Sequence, residues 1–259
     1  MDAVSAARLL DLLAAGGGIV AAVGAGGKKS TLYRLAEAHR LLGSPRIGLT
    51  CTVTMGPPPR SLIDRRLVDE PAVLAAQVPA AAARHRLLAY AQPSAKPGRL
   101  GGLPGALIDR LHAEGAFTVT LVKADGARMR WIKAPRHDGP VLPERVTTLL
   151  PVLSIRALGQ PLDPAIAHRI EQVAAVTGAA PGAPLEARHL ARLLASEQGA
   201  LQRAGDTVVV PVINMVDDAA CRAAARDVAR LALAASPRFE RVVLTSMIAA
   251  DPLVEVIER

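Results

Sequence analysis

Residues 23–31 read VGAGGKKST. Three glycines in four positions, two adjacent lysines and two hydroxyls follow the apolar run GGIVAA and precede LYRLAEAHRLL. Glycine lets a backbone take left-handed dihedrals and come close to a bound group. Successive N–H groups in such a turn form an anion-binding concavity, and a following helix adds its positive end. A lysine then reaches the terminal phosphates, and a Ser or Thr hydroxyl ligates Mg2+. The chemistry suggested is phosphate binding by Gly24, Ala25, Gly26, Gly27, Lys28, Lys29, Ser30 and Thr31. The bland alternative is a βα turn that happens to be basic.

The stretch does not match G-x-x-x-x-G-K-[ST]. With Lys28 as the phosphate lysine, Ala22 replaces the first glycine and Lys29 takes the hydroxyl position. With Lys29 in that role, Ser30 is the metal hydroxyl and Lys28 replaces the last glycine. The second register keeps the Lys–Ser pair and is preferred.

An acidic position farther along suits the same chemistry. FTVTLVKADGA puts Asp125 at the C-terminal end of an apolar strand, where phosphate-transfer proteins hold Mg2+. An Asp-Gly pair also makes an ordinary turn. Arg128, Arg130, Lys133 and Arg136 follow in a segment, 126–143, too long for a simple connector. They suit a second anion or the transferring phosphoryl group, with Lys133 as a catalytic candidate beside Lys28, Lys29 and Asp125. Farther on, VVVPVINMVDD ends a strand in Asn214-Met215-Val216-Asp217. GTPases read guanine with Asn-Lys-x-Asp at this place. The competing reading is a helix N-cap from Asp217 or Asp218. Ser246, after the last strand, is the residue expected beside the base.

These residues need a scaffold that gathers strand ends. Helices are expected over 3–14, 30–42, 69–83, 104–114, 164–177, 185–195 and 218–235. Strands are expected over 18–23, 46–54, 86–91, 117–125, 147–155, 206–214 and 241–246. Short apolar strands alternating with helices predict an α/β fold, three-layered and P-loop NTPase-like, on a mostly parallel sheet. It is read as one domain, 1–259, with a small helical insertion near 160–200.

Composition narrows the partners. The chain has 259 residues, 51% of them hydrophobic, enough for one large core. The net charge is +8, carried by 26 Arg and 5 Lys. The charges are scattered and aromatics are only 2%, so nucleic acid is not expected. Four of the five lysines lie in the glycine turn or around KADGARMRWIK. Two cysteines, Cys51 and Cys221, form no disulfide framework, and no uninterrupted apolar run is long enough for a span. A cytoplasmic protein without a membrane partner is expected, and Cys51 is expected to be a core residue.

VGAGGKKSTLYRLA, VKADGARMRWIKAP…PVLP, ALGQPLDPAIAHRIEQVAAVTG and VINMVDD, in this order, resemble the YqeC family. The likeness spans roughly residues 15–250. Gly24, Gly26, Gly27 and Lys28 match the family's first motif, and Asp125, Gly126, Lys133 and Pro135 its second. Gly159, His168 and Arg169 match the third, Asn214 and Asp217 the fourth. Three positions depart from the pattern: Lys29 for a hydroxyl residue, Lys123 for Glu, and Met215 for Lys. The resemblance implies an accessory factor in cofactor maturation of a selenium-dependent molybdenum hydroxylase. The ligands expected are Mg2+ and ATP or GTP, held by the turn with Asn214 and Asp217, the metal on Ser30 and Asp125. The expected partners are the nucleotide and a molybdenum hydroxylase or cofactor-biosynthesis protein. A nucleotide-gated binding protein or chaperone with slow hydrolysis, and a small-molecule kinase, are the alternatives.

Overall fold

A computed structural model describes all residues, 1–259. The chain begins with α1 (Ala3–Leu12), β1 (Gly18–Gly24), α2 (Lys28–Leu41), β2 (Ile47–Cys51), β3 (Arg65–Val68), α3 (Pro71–Ala82), β4 (Leu87–Pro93) and β5 (Leu100–Gly101). It continues with α4 (Gly105–Glu114), β6 (Val119–Lys123), β7 (Ile132–Lys133), β8 (Val146–Ser154), a 3-10 turn at Ile155–Ala157 and β9 (Ala167–His168). It closes with α5 (Ile170–Thr177), α6 (Ala187–Ala195), β10 (Val208–Val209), β11 (Val212–Asn214), α7 (Ala219–Ala235), β12 (Arg241–Thr245) and β13 (Leu253–Glu258). The fold is three-layer α/β with a mostly parallel sheet and seven helices, as expected for a P-loop NTPase-like chain.

Contacts divide the chain into two compact units. The first holds Met1–Ala22, Lys29–Gly126 and Val141–Thr148. Its strands run β1–β6–β2–β4–β3, all parallel, with β5 antiparallel on β4. GIVAAVG and VTLVK are buried almost throughout, which is why their apolar residues run on instead of alternating. The register Ala22↔Lys123↔Cys51 brings the C-terminal ends of β1, β6 and β2 level. In open α/β sheets that edge is where ligands bind.

Two buried polar side chains tie this unit together. Asp109 of α4 accepts hydrogen bonds from the Glu144 and Arg145 backbones, at 2.9 and 3.1 Å. Asp109→Ala leaves both donors unmatched, and about 2 kcal/mol of stability should be lost in urea titration; an unchanged midpoint would show that water replaces the carboxylate. His39 of α2, 1% exposed, donates from Nε2 to Ala15 O (2.8 Å), so its Nδ1 accepts from Ser44 Oγ (2.8 Å) and the ring is neutral. Burial pushes its pKa below the ordinary 6.5. Above that value both folded and unfolded rings are neutral, so this group adds no pH dependence to stability. Below it the unfolded ring takes up the proton first, and stability falls with a limiting slope of about 1.4 kcal/mol per pH unit. His39→Gln should flatten the decline between neutral pH and pH 5; parallel profiles for the two proteins would refute this origin.

The second unit holds Val23–Lys28, Ala127–Pro140 and Leu149–Arg259. β8, β11 and β12 are parallel, and β13 adds antiparallel to β12. β7 and β9 form a separate parallel ribbon, register Lys133↔His168. Asp218 caps α7 by accepting from Cys221 N at 2.7 Å.

Several boundaries differ from the sequence reading. α2 begins at Lys28, not residue 30. The helix expected from 164 begins only at Ile170, because Arg169 is left-handed (φ 68°) and 167–168 pair as β9. The strand expected over 206–214 is two pieces, β10 and β11, with Pro211 between them lacking a ladder donor. β3, β5, β7 and β13 were not expected as strands. The 160–200 region holds α5, α6 and β9, and no strand of the large sheet. No helix is long and apolar enough to cross a membrane.

Candidate functional site

The glycine turn is built by dihedrals only glycine adopts freely. Gly24, Gly26 and Gly27 have φ of +87°, +72° and +134°. Each is also packed too closely for a side chain. A Cβ on Gly24 would strike Val152 O, one on Gly26 would lie 2.7 Å from Trp131 O, and one on Gly27 would strike the Asn214 amide. Ala25 N donates to Val152 O (2.8 Å) and Gly26 N to Arg130 O (3.0 Å), so β8 and the 127–140 segment hold the turn from outside.

The turn delivers the chain into the N-terminus of α2. Lys28 is that helix's first residue, 5% exposed, and its Nζ folds back to donate to Gly24 O. Lys29 is exposed and its Nζ lies beside Gly56. The lysine folded over the turn is therefore Lys28, against the preferred register. Ser30 is half-buried and Thr31 fully buried in the same first turn of α2.

In the first unit, Asp125 stands two residues past β6, 5% exposed, where that strand's end is level with β1. Thr52 Oγ1 donates to Ala124 O (3.2 Å) beside it, and to Val141 O (2.7 Å). Lys123, the residue in place of the family's acid, donates from Nζ to Thr54 O at 3.2 Å. Cys51 lies in the apolar cluster of Met55, Ala91 and Leu100, and burial pushes its thiol up to about 11. It is a core residue, as expected.

In the second unit, Asn214 clamps the glycine turn. Its amide donates to Gly26 O (2.8 Å), while its Oδ1 accepts from Thr245 Oγ1 (3.2 Å) and Met247 N (3.1 Å). Asn214 is 3% exposed, and these bonds direct its side chain inward. Ser154 at the end of β8 joins the same frame: its N donates to Trp131 O (3.0 Å) and its Oγ to Met215 Sδ (3.0 Å). Asp217 sits outside the clamp, held by Ser246 Oγ (2.7 Å) and Arg156 Nη2 (2.7 Å), while the cap of α7 is Asp218.

The β7–β9 ribbon joins two distant motifs. Lys133, 6% exposed, is in register with His168, and Arg169 Nη1 donates to Ala134 O at 3.4 Å. Arg128 and Met129 are both left-handed (φ 48° and 61°) at the tip of a turn closed by Arg130 N to Ala127 O (2.9 Å). Arg136 is turned to the surface and pairs with Asp138 at 2.7 Å, alongside the exposed His137. Sequence reasoning missed Ser154, Thr245, Met247 and Arg156. Ser154 and Thr245 are the last residues of their strands, the one signal available.

The family model of the YqeC protein matches residues 20–171. That span takes in the glycine turn, Asp125, Lys133, His168 and Arg169, and ends before Asn214 and Asp217. The chain is 31% identical over 185 residues to the "Uncharacterized protein YqeC" of Escherichia coli (strain K12), covering 71% of this chain and 70% of that protein.

Proposed function

The chain belongs to the YqeC family, and from that membership and the glycine turn we propose that it binds a nucleoside triphosphate with Mg2+ and serves as an accessory factor in maturing the cofactor of a selenium-dependent molybdenum hydroxylase. One observation carries the nucleotide reading: a turn of three positive-φ glycines leads into a helix N-terminus with Lys28 folded over it. The first N–H groups of a helix have no intrahelical partners and suit phosphate oxygens. Lys28 exchanges the Gly24 carbonyl for a phosphate, a stronger charge-assisted acceptor. Mg2+ needs only one or two protein oxygens beside the phosphates. Within the first unit, the Ser30 hydroxyl and the Asp125 carboxylate are the hard oxygens proposed for it, although Lys29 occupies the family's hydroxyl position. Bound there, the ion would neutralise charge developing on the phosphoryl group. Lys133 serves a second, anionic substrate. The maturation role rests on the family resemblance.

One observation favours the alternative of a nucleotide-gated binding protein. Gly26 N is held by Arg130 O, so a phosphate that reshapes the glycine turn also moves the strained Arg128–Met129 turn, where Met129 is 92% exposed. Calorimetry of the whole chain with ATP and GTP, with Mg2+ and with EDTA, tests the common premise. Mg2+-dependent binding is expected. No heat with either nucleotide would reduce the glycines to a chain reversal. Turnover driven by a small substrate then favours the enzyme, and turnover driven by a partner protein the gated binder.

A further inference from the structure

We propose that the first unit carries a further anion site, for a small molecule with two or more phosphoryl groups, in a cleft at the open edge of β3. The cleft holds about 410 Å3 and is lined by Arg60, Ile63, Asp64, Arg65 and Arg66, all within that unit. Sites for small molecules are commonly about 300–1,000 Å3. β3 is the last strand of its sheet and pairs only with β4. Successive strand residues point to opposite faces, so a cleft that touches both Arg65 and Arg66 lies on the strand's open edge. It stands apart from the first turn of α2. Arg40, which binds the segment before β3, lies ten residues along that helix from Ser30, a rise of about 15 Å.

The positive charge of the cleft is unbalanced. Its one carboxylate is already used: Asp64 Oδ1 pairs with Arg40 Nη2 (3.1 Å), and Oδ2 accepts from Leu87 N (2.8 Å). No hydrogen bond or ion pair engages the side chains of Arg60, Arg65 or Arg66. Three guanidinium charges thus border one cleft without a counter-charge, an arrangement that an anion stabilises. The segment is also fixed in advance. Arg40 Nη1 donates to Leu62 O (3.1 Å), Leu62 N to Pro59 O (3.1 Å) and Asp64 N to Leu87 O (2.9 Å). A guanidinium presents its donors in a planar fork that matches phosphate oxygens in pairs. Arg65 and Arg66 approach from opposite faces of the sheet, so the acceptor must offer oxygens in more than one plane. A phosphoryl group does, whereas the two oxygens of a carboxylate share one. Three charges call for more than one phosphoryl group, and Ile63 gives an apolar wall for the body that joins them. β3 is only four residues long, the short charged edge that discourages pairing with another chain.

The test is titration of the full chain with pyrophosphate, without nucleotide or Mg2+, followed on backbone amide NMR shifts. Shifts are expected at residues 60–66, with an affinity there roughly tenfold or more above that for inorganic phosphate, two phosphoryl groups against one. Arg65→Ala combined with Arg66→Ala should weaken that binding about tenfold or more, the scale of lost charge-assisted bonds. Arg60→Ala, at an exposed position where folding is not at stake, should weaken it in the same direction. Lys28→Ala should leave the shifts at 60–66 as they are, which separates the cleft from the glycine turn. Shifts confined to 24–31 and lost in Lys28→Ala overturn the cleft site and leave the nucleotide reading standing. Citrate bound as tightly as pyrophosphate overturns the phosphoryl assignment. Pyrophosphate bound no tighter than inorganic phosphate overturns the proposal and makes the arginines a charged guard on the sheet edge.

Discussion

Lys28→Ala is expected to weaken nucleoside triphosphate binding roughly 100-fold, the scale of removing one partner from a desolvated charge pair. The reason is position. Lys28 is the first residue of α2, is 5% exposed, and returns its ammonium to Gly24 O across the turn. Truncation removes the one charge that this geometry shows folded back on the turn. Lys28→Arg should not restore binding, because a planar guanidinium is larger than the compact ammonium the turn encloses. Lys29→Ala should have much the smaller effect, since its side chain is exposed beside Gly56. Calorimetry on the three proteins decides the register of the two lysines. If Lys29→Ala is the damaging change, α2 must rotate on binding and the site described above is the wrong face of its first turn.

Gly27→Ala should be the most damaging small substitution in the chain. At φ +134° an L-residue is strained by about 1–3 kcal/mol. The new methyl would also strike the Asn214 amide, displacing a side chain that bonds Gly26, Thr245 and Met247. Unmatched buried partners cost about 1–3 kcal/mol more. A total near 4 kcal/mol is a large share of the stability of an ordinary domain, ~5–15 kcal/mol. Urea titration measures it. Gly126→Ala is the control: no atom lies within 4 Å of a Cβ there and its φ is unremarkable, so little change is expected. Equal midpoints for the two variants would mean the turn yields without cost.

The parts of this site that short-range pattern can describe were readable beforehand. GIVAAV and FTVTLV are apolar runs too short for helices and buried on both faces, so they read as central strands. Their register then brings the ends of β1 and β6 level at Ala22 and Lys123, with Asp125 two residues farther along its own chain. Other parts depend on closures the sequence does not mark. Which lysine covers the glycines depends on where α2 starts, and that is set by the dihedral at Gly27. Asn214 finds Gly26 from 188 residues away, and its role as clamp instead of base reader follows from that one contact. β7 and β9 are two residues each, below the length at which any period exists. Residues 164–169 have helical composition, yet Asp163 Oδ1 accepts from Ala165 N (2.7 Å) and Arg169 turns left-handed, so local bonds prevail over propensity.

The turn at Arg128 and Met129 also makes the chain a recorder of its own occupancy. Exposed loop tips are where proteases nick first, and this tip offers trypsin the bond after Arg128, with Met129 almost fully in solvent. A cut there spares every strand and helix, but it loosens the residue two places on, whose carbonyl holds Gly26 N. Digestion at one surface bond thus reaches Gly26 of the glycine turn. In the reverse direction, a ligand that stiffens the glycines stiffens the protease site, so the rate of a single tryptic cut becomes a clock for binding.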